Sequence, residues 1–248
     1  MSANDPEPTN DRVYDAPREV VAPFEFNAEV VDVFEDMIRR SVPGYGLTLQ
    51  LMSSVASELS IDTPCVYDLG CSLGSGMIAL DRGLKGKNAT LVGVDTSQPM
   101  LAKADGILQR AHLNASWELI EGDINSIEID PHDLCVMNFT LQFIQIEKRL
   151  PLLQRICNSM KLGGMLILSE KLLFEASDEQ DVQTTLHHNF KRLNGYTDLE
   201  ISQKRQALEN TLIPETLASH EKRLRKAGFS KTYLWLKAFN FASILALK

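Results

Sequence analysis

Three carboxylates at near-equal intervals, Asp68, Asp95 and Asp123, and the amide of Asn138 each sit at or near the C-terminal end of a short apolar run. A carboxylate there can accept hydrogen bonds from both hydroxyls of a ribose, because ligands of open α/β sheets lie beyond the carboxyl ends of the strands. Asp95 closes Leu91-Val92-Gly93-Val94-Asp95 and suits that task; Asp123, in Glu121-Gly122-Asp123-Ile124, suits an adenine amino group. The run Asp68-Leu69-Gly70-Cys71-Ser72-Leu73-Gly74 is a sharp turn of small residues that lets a ligand lie against the backbone, with a helix N-terminus just beyond. It does not meet G-x-G-x-x-G, since Ser72 takes the second glycine's place, and alone it is a weak signal. Asp95 and Asp123 could instead cap helices. Taken together, the four positions favour an adenosyl-nucleoside site.

The elements that must present these residues are legible as alternation. Apolar runs at 64–69, 89–94, 134–139 and 164–169, with a weaker one at 116–121, predict strands. Helical patterns lie between them: Met100, Ala104, Ile107, Leu108, and then Leu152, Leu153, Ile156, Cys157, Met160, opened by Pro151 and closed by Gly163-Gly164. Two helices precede the first strand. One carries Val30, Val33, Phe34, Met37 and Ile38; after a break at Ser41–Tyr45 the next carries Leu47, Leu51, Val55 and Leu59. Fully apolar strands alternating with helices make an α/β fold with a parallel sheet covered on both faces. The runs Lys231–Lys237 and Phe239–Leu247 leave no room for a crossover helix, so they pair as an antiparallel hairpin. This is the Rossmann-like class I methyltransferase layout: a mostly parallel seven-stranded sheet ending in a hairpin, with a helical insertion at about 172–228.

Bulk composition narrows the function. A net charge of −8 argues against a domain that grips a nucleic-acid backbone. The four cysteines, Cys65, Cys71, Cys135 and Cys157, form no CxxC pair and read as reduced core thiols rather than metal ligands. No stretch is long and apolar enough to span a membrane, and the N-terminal residues lack a signal-peptide pattern, so a cytoplasmic protein is expected. Residues 1–24, with Pro6, Pro8, Pro17 and Pro23, read as a disordered tail before one domain over 25–248.

The insertion holds one unusual charge. In the helix starting near Asp198, Ile201, Arg205, Leu208 and Leu212 share a helical spacing, which turns Arg205 into the apolar stripe and Lys204 away from it. A guanidinium held there either meets an anion, as a fork-shaped carboxylate receptor, or lets its stem pack while its head reaches water. His187 and His188 diverge by about 100° on a helix and read as structural. Glu170 and Lys171 read equally as pocket lining and as an ordinary strand terminus.

Four strings carry a more specific likeness: Ile38-Arg39-Arg40-Ser41-Val42-Pro43-Gly44-Tyr45, Tyr67–Gly74, Asn138-Phe139-Thr140-Leu141-Gln142-Phe143 and Leu199-Glu200-Ile201-Ser202-Gln203-Lys204-Arg205. Together they resemble the carboxy-S-adenosyl-L-methionine synthases, from about Phe24 to the C-terminus. Thr96, Asn189 and Ser75 depart mildly from that pattern, standing where asparagine, aspartate and alanine are frequent. The resemblance implies that S-adenosyl-L-methionine and prephenate become carboxy-S-adenosyl-L-methionine and phenylpyruvate, with no metal. It implies that Tyr45, Gly70, Cys71, Ser72, Asp95, Thr96, Asp123, Ile124 and Asn138 line the cofactor site and that Arg205 binds the new carboxylate. It further implies a homodimer whose product serves a tRNA carboxymethyltransferase acting on the wobble uridine. It names no catalytic base. Two other readings remain open: a conventional methyltransferase of a small molecule or RNA, and a non-catalytic S-adenosylmethionine-binding subunit.

Overall fold

The computed structural model describes residues 10–248 and turns the apolar runs into strands β1 (Cys65–Leu69), β2 (Thr90–Asp95), β3 (Ser116–Glu121), β4 (His132–Asn138) and β5 (Met160–Lys171), followed by β6 (Lys231–Ala238) and β7 (Phe241–Leu247). Their order in the single sheet is β3-β2-β1-β4-β5-β7-β6; β1 to β5 run parallel, and β7 is antiparallel to both β5 and β6. The centre is apolar on both faces: Leu69, Leu91, Val94, Leu134, Val136, Leu166 and Ile167 are fully buried. Each such side chain contributes about 1.5–3 kcal/mol of burial.

Helices α1 (Ala28–Ser41), α2 (Tyr45–Ser57), α3 (Ser75–Gly83), α4 (Gln98–Ala111) and α5 (Ile146–Ser159) are set among these strands, and α6 (Ser177–Leu193), α7 (Asp198–Leu208) and α8 (Leu217–Ala227) fill the stretch before β6. Local capping fixes several of their starts. The Asn27 side chain accepts from the Val30 amide, Ser97 from Met100, and Thr197 and Glu200 close a reciprocal capping box on α7. Among the described residues no helix is long and apolar enough to cross a membrane.

Three expectations fail here. Helix α5 begins five residues before Pro151, which sits on its exposed side and removes one interior hydrogen bond; Gly163-Gly164 lie inside β5. Helix α2 buries Tyr45, Thr48, Met52 and Ala56 and leaves Leu47 outside, because the helix starts at Tyr45 and its packed face is set from there. Residues 10–24 are not a disordered tail. Asp11, Tyr14 and Phe24 are buried, the Gln203 amide donates to the carbonyls of Tyr14 and Ala16 (both 2.9 Å) and accepts from the Arg18 amide (2.8 Å), and Phe24 donates to the Ala207 carbonyl. This N-terminal strap is pinned by long-range partners that composition does not reveal; residues 1–9 lie outside the described residues.

A second device fixes the insertion. Arg149 of α5 is fully buried and pairs with Glu215, which also takes Arg223; its guanidinium donates to the carbonyls of Ile144, Gln142 and Ile213. Four hydrogen bonds from Arg149 reach two segments, 142–144 and 213–215, so the insertion is clamped to the loop after β4.

Candidate active site

The loop after β1 turns on Gly70 (φ +86°) and Gly74 (φ +79°), and Ser72 also adopts a positive φ of 49°. A serine pays about 1–2 kcal/mol for that conformation. It is held there because its amide donates to Asp95 Oδ2 (2.9 Å), while Asp95 Oδ1 accepts from Ser97 (2.9 Å) at the start of α4. Thus the helix cap is Ser97 and not Asp95, whose carboxylate closes an Asx turn just before the helix and also stands on the cavity wall. At Gly70 a β-carbon would come within 2.3 Å of Thr140 Oγ1, so no larger residue fits. At Gly76 a β-carbon would meet Asp68 Oδ2 at 2.4 Å, so this glycine lets the Asp68 carboxylate rest on the first turn of α3.

Beyond these strand ends lies a cavity of about 400 Å³, and Tyr45, Gly70, Cys71, Ser72, Asp95, Thr96, Asp123, Ile124 and Asn138 all line it. Asp123 differs from expectation: no helix follows, and its carboxylate accepts from the amide and side chain of Asn125 (2.9 and 2.8 Å) in a tight turn. The phenol of Tyr45 is buried and pushed up to about 12, first by desolvation. Phe24, Phe26, Phe34 and Phe143 form an aromatic edge; Phe26 meets the other three edge-on at 5.1, 6.0 and 5.4 Å between ring centres.

The cavity has an acidic end and a basic end. Asp68 is raised to about 7 by burial and then by the nearby Asp95, and Asp95 is itself raised by burial against the pull of its amide donors. Opposite in charge, Lys171 at the end of β5, Lys191 on α6 and Lys204 on α7 also line the cavity. Burial, then Lys204 and Lys171, lowers Lys191 to about 7. Burial lowers Lys204 to about 8 although Asp11 lies 3.6 Å away. His187 joins them. Its Nε2 donates to the Ser41 carbonyl (2.8 Å), and burial followed by Lys191 and Lys171 keeps the ring neutral. Sequence reasoning gave His187 a structural role only; its buried position on the cavity wall depends on α1, far away in sequence.

Arg205 is a correction in its packing, which is separate from its expected part in binding a carboxylate. It is exposed and absent from the cavity wall, whereas its neighbour Lys204 is buried. The aliphatic spacing misled because α7 ends at Leu208, which leaves Leu212 outside the helix, and because the buried face carries Gln203 and Lys204, whose partners are Tyr14, Ala16 and Asp11 of the strap. Glu170 is also separate from the wall: it is buried, raised to about 8 by desolvation, and accepts from the Leu141 amide (3.0 Å), which steadies the turn carrying Leu141–Phe143. Among the described residues no group of three or more His, Cys, Asp or Glu is placed to hold a metal ion.

Known proteins resemble this chain in sequence and in fold. A methyltransferase domain profile matches residues 66–164. Carboxy-S-adenosyl-L-methionine synthase of Shewanella halifaxensis (strain HAW-EB4) is 43% identical over 240 residues, 97% of this chain and 99% of that protein. The synthase of Marinobacter nauticus (strain ATCC 700491 / DSM 11845 / VT8) is 45% identical over 243 residues, 98% of this chain and 97% of that protein. Among solved structures, human N-acetylserotonin methyltransferase in complex with S-adenosylmethionine superposes with a TM-score of 0.59 at 18% identity, over 89% of this chain and 55% of that one. Mitomycin 7-O-methyltransferase gives 0.59 at 17% identity, over 89% and 56%. These two likenesses concern the fold.

Proposed function

The chain belongs to the carboxy-S-adenosyl-L-methionine synthase family, and on that footing we propose that it carboxylates the S-methyl group of S-adenosyl-L-methionine with prephenate as the carboxyl source. The observation that carries this reading is the two-ended cavity, since methyl transfer to a neutral acceptor has no use for three lysines on the wall, two of them buried. When bound, S-adenosyl-L-methionine supplies a sulfonium-acidified methyl; its proton and the ring hydroxyl of prephenate leave as water, the ring carboxylate becomes the carboxymethyl group, and phenylpyruvate departs.

The residues divide that work. Asp95, fixed by two amide donors, has the placement to meet ribose hydroxyls, and the backbone of Gly70–Ser72 provides a surface for close approach. Asp68, titrating near neutrality when the cavity is empty, becomes fully ionised beside a sulfonium and an α-ammonium, because nearby positive charge favours the carboxylate. The aromatic edge excludes water that would otherwise compete for the methyl proton and dilute the carbon dioxide.

We further propose that the enzyme is cytoplasmic and homodimeric and that a tRNA carboxymethyltransferase consumes its product. The apolar side chains of Val182, Leu186 and Leu193 exposed along α6 support self-association. The test is mass spectrometry of the nucleoside products after incubation with both substrates. A product heavier than S-adenosyl-L-methionine by one carbon dioxide, formed with phenylpyruvate, is expected. Demethylated cofactor with no consumption of prephenate would overturn the reading.

A further inference from the structure

Lys171 and Lys191 are cations without partners. The ion pairs among the described residues include neither, and no side-chain hydrogen bond reaches either ammonium group. Lys191 is only 7% exposed. Asp11 is the carboxylate acting on it, and Asp11 is already engaged by Lys204, at 3.6 Å, and by the Tyr196 hydroxyl. The groups facing Lys171 are Arg205, Lys191, His187 and His188, none of them an anion. An uncompensated buried charge is strongly unfavourable, so the buried Lys191, with the half-buried Lys171 beside it on the cavity wall, signals an anion that arrives later.

Position says which anion. The lysines come from β5 and α6, at the carboxyl end of the sheet, while the acids Asp68, Asp95 and Asp123 come from β1, β2 and the turn after β3. A cationic nucleoside is attracted to the second group and repelled by the first. His187 does not compete for the anion: its Nε2 hydrogen is committed to Ser41, which leaves Nδ1 as an acceptor for a substrate hydroxyl. Lys204 is bound to Asp11 and to Ser41 Oγ (3.1 Å), so it adds field without being free to turn.

Resting on the reaction proposed above, we infer that Lys171 and Lys191 bind the two carboxylates of the dianionic second substrate and so hold it against the nucleoside. Their empty-site repulsion then becomes attraction, and the dianion draws a proton onto Lys191, which is partly neutral without it.

The experiment pairs kinetics with calorimetry on the full chain. Lys171→Met and Lys191→Met should each raise the KM for prephenate about 10–100-fold, in the range of a lost buried charge contact. Affinity for S-adenosyl-L-methionine should stay within about twofold, and Lys191→Arg should recover part of the loss. Titration of wild-type protein with prephenate in two buffers of different ionisation enthalpy, near pH 7.5, should show net proton uptake that Lys191→Met diminishes. An unchanged KM, or equal loss of both ligands, overturns the assignment. Should methionine unfold the protein, Lys191→Gln takes its place in the same assays. A wild-type enzyme that makes no carboxylated product would remove the reaction, whereas calorimetric binding of prephenate, abolished or not in the variants, still judges the lysines.

Discussion

Replacing Lys191 by methionine is expected to make the ligand-free protein more stable. Its folded-state pKa is about 7 against an ordinary 10.5, with burial the main cause and Lys204, Lys171 and Asp11 the charges around it. At about 1.4 kcal/mol for each factor of ten, that difference corresponds to roughly 4–5 kcal/mol of destabilisation. The pH window follows from the direction. Below about pH 7 the lysine is charged in both states, and the full penalty applies. Between about 7 and 10.5 the folded protein sheds the proton, and the penalty fades. Allowing about 1 kcal/mol for imperfect repacking, Lys191→Met should gain about 3 kcal/mol at pH 6.5 and about 1 kcal/mol at pH 9. For a chain of this length the larger gain corresponds to a melting temperature about 6–12 °C higher. Urea unfolding of wild type and variant at both pH values, after removal of bound nucleoside, measures it. A loss of stability at pH 6.5, or a gain that does not shrink at pH 9, would refute the claim that Lys191 is an unpaired buried cation.

Three other outcomes are expected. Gly70→Ala combines a positive φ with a clash at Thr140 and should destabilise the protein by about 2–4 kcal/mol and abolish the thermal shift given by S-adenosyl-L-methionine; Thr140→Ala in the same chain should restore part of both. Gln203→Ala removes three hydrogen bonds to the strap, and hydrogen exchange should rise selectively over residues 10–24, with the sheet amides unchanged. Arg205→Ala removes an exposed side chain outside the cavity of its own chain, so stability should hold within about 0.5 kcal/mol and affinity for S-adenosyl-L-methionine should be unaltered in calorimetry.

What the sequence disclosed was whatever rests on short-range pattern. Strand ends at Asp95, Asn138 and Lys171 follow from apolar runs of ordinary length, and the turn at Gly70 follows from local steric demand. The hairpin followed from the lack of chain between β6 and β7. What stayed hidden depends on partners far along the chain. Lys204 and Arg205 are adjacent, and a register choice about 100° wide decides which is buried; the decision is made by Asp11 and Ser41, to which aliphatic periodicity is blind. Asp11 and Tyr14 read as solvated tail because prolines and acids surround them, yet the Tyr196 hydroxyl and the Arg40 guanidinium secure that segment. The basic end of the cavity was therefore missed as a unit: three lysines of ordinary surface type are gathered from β5, α6 and α7.

The strap, which reaches the cavity wall at Phe24, carries a consequence for the order of folding. Its contacts to α7 join residues separated by more than 180 positions, among the longest loops the chain can close, whereas the parallel strands are linked through nearer neighbours. Such closures carry a high entropic cost, which the packing of Tyr14, Val21 and Phe24 beside Val30, Met37 and Ala207 offsets only once α1 and α7 are in place, so they form late. The strap thus behaves as its own cooperative unit on a sheet that has already set, and Phe24 is where that unit meets the cavity. A ligand that rests on Phe24 therefore slows the opening of the strap as well as its own departure.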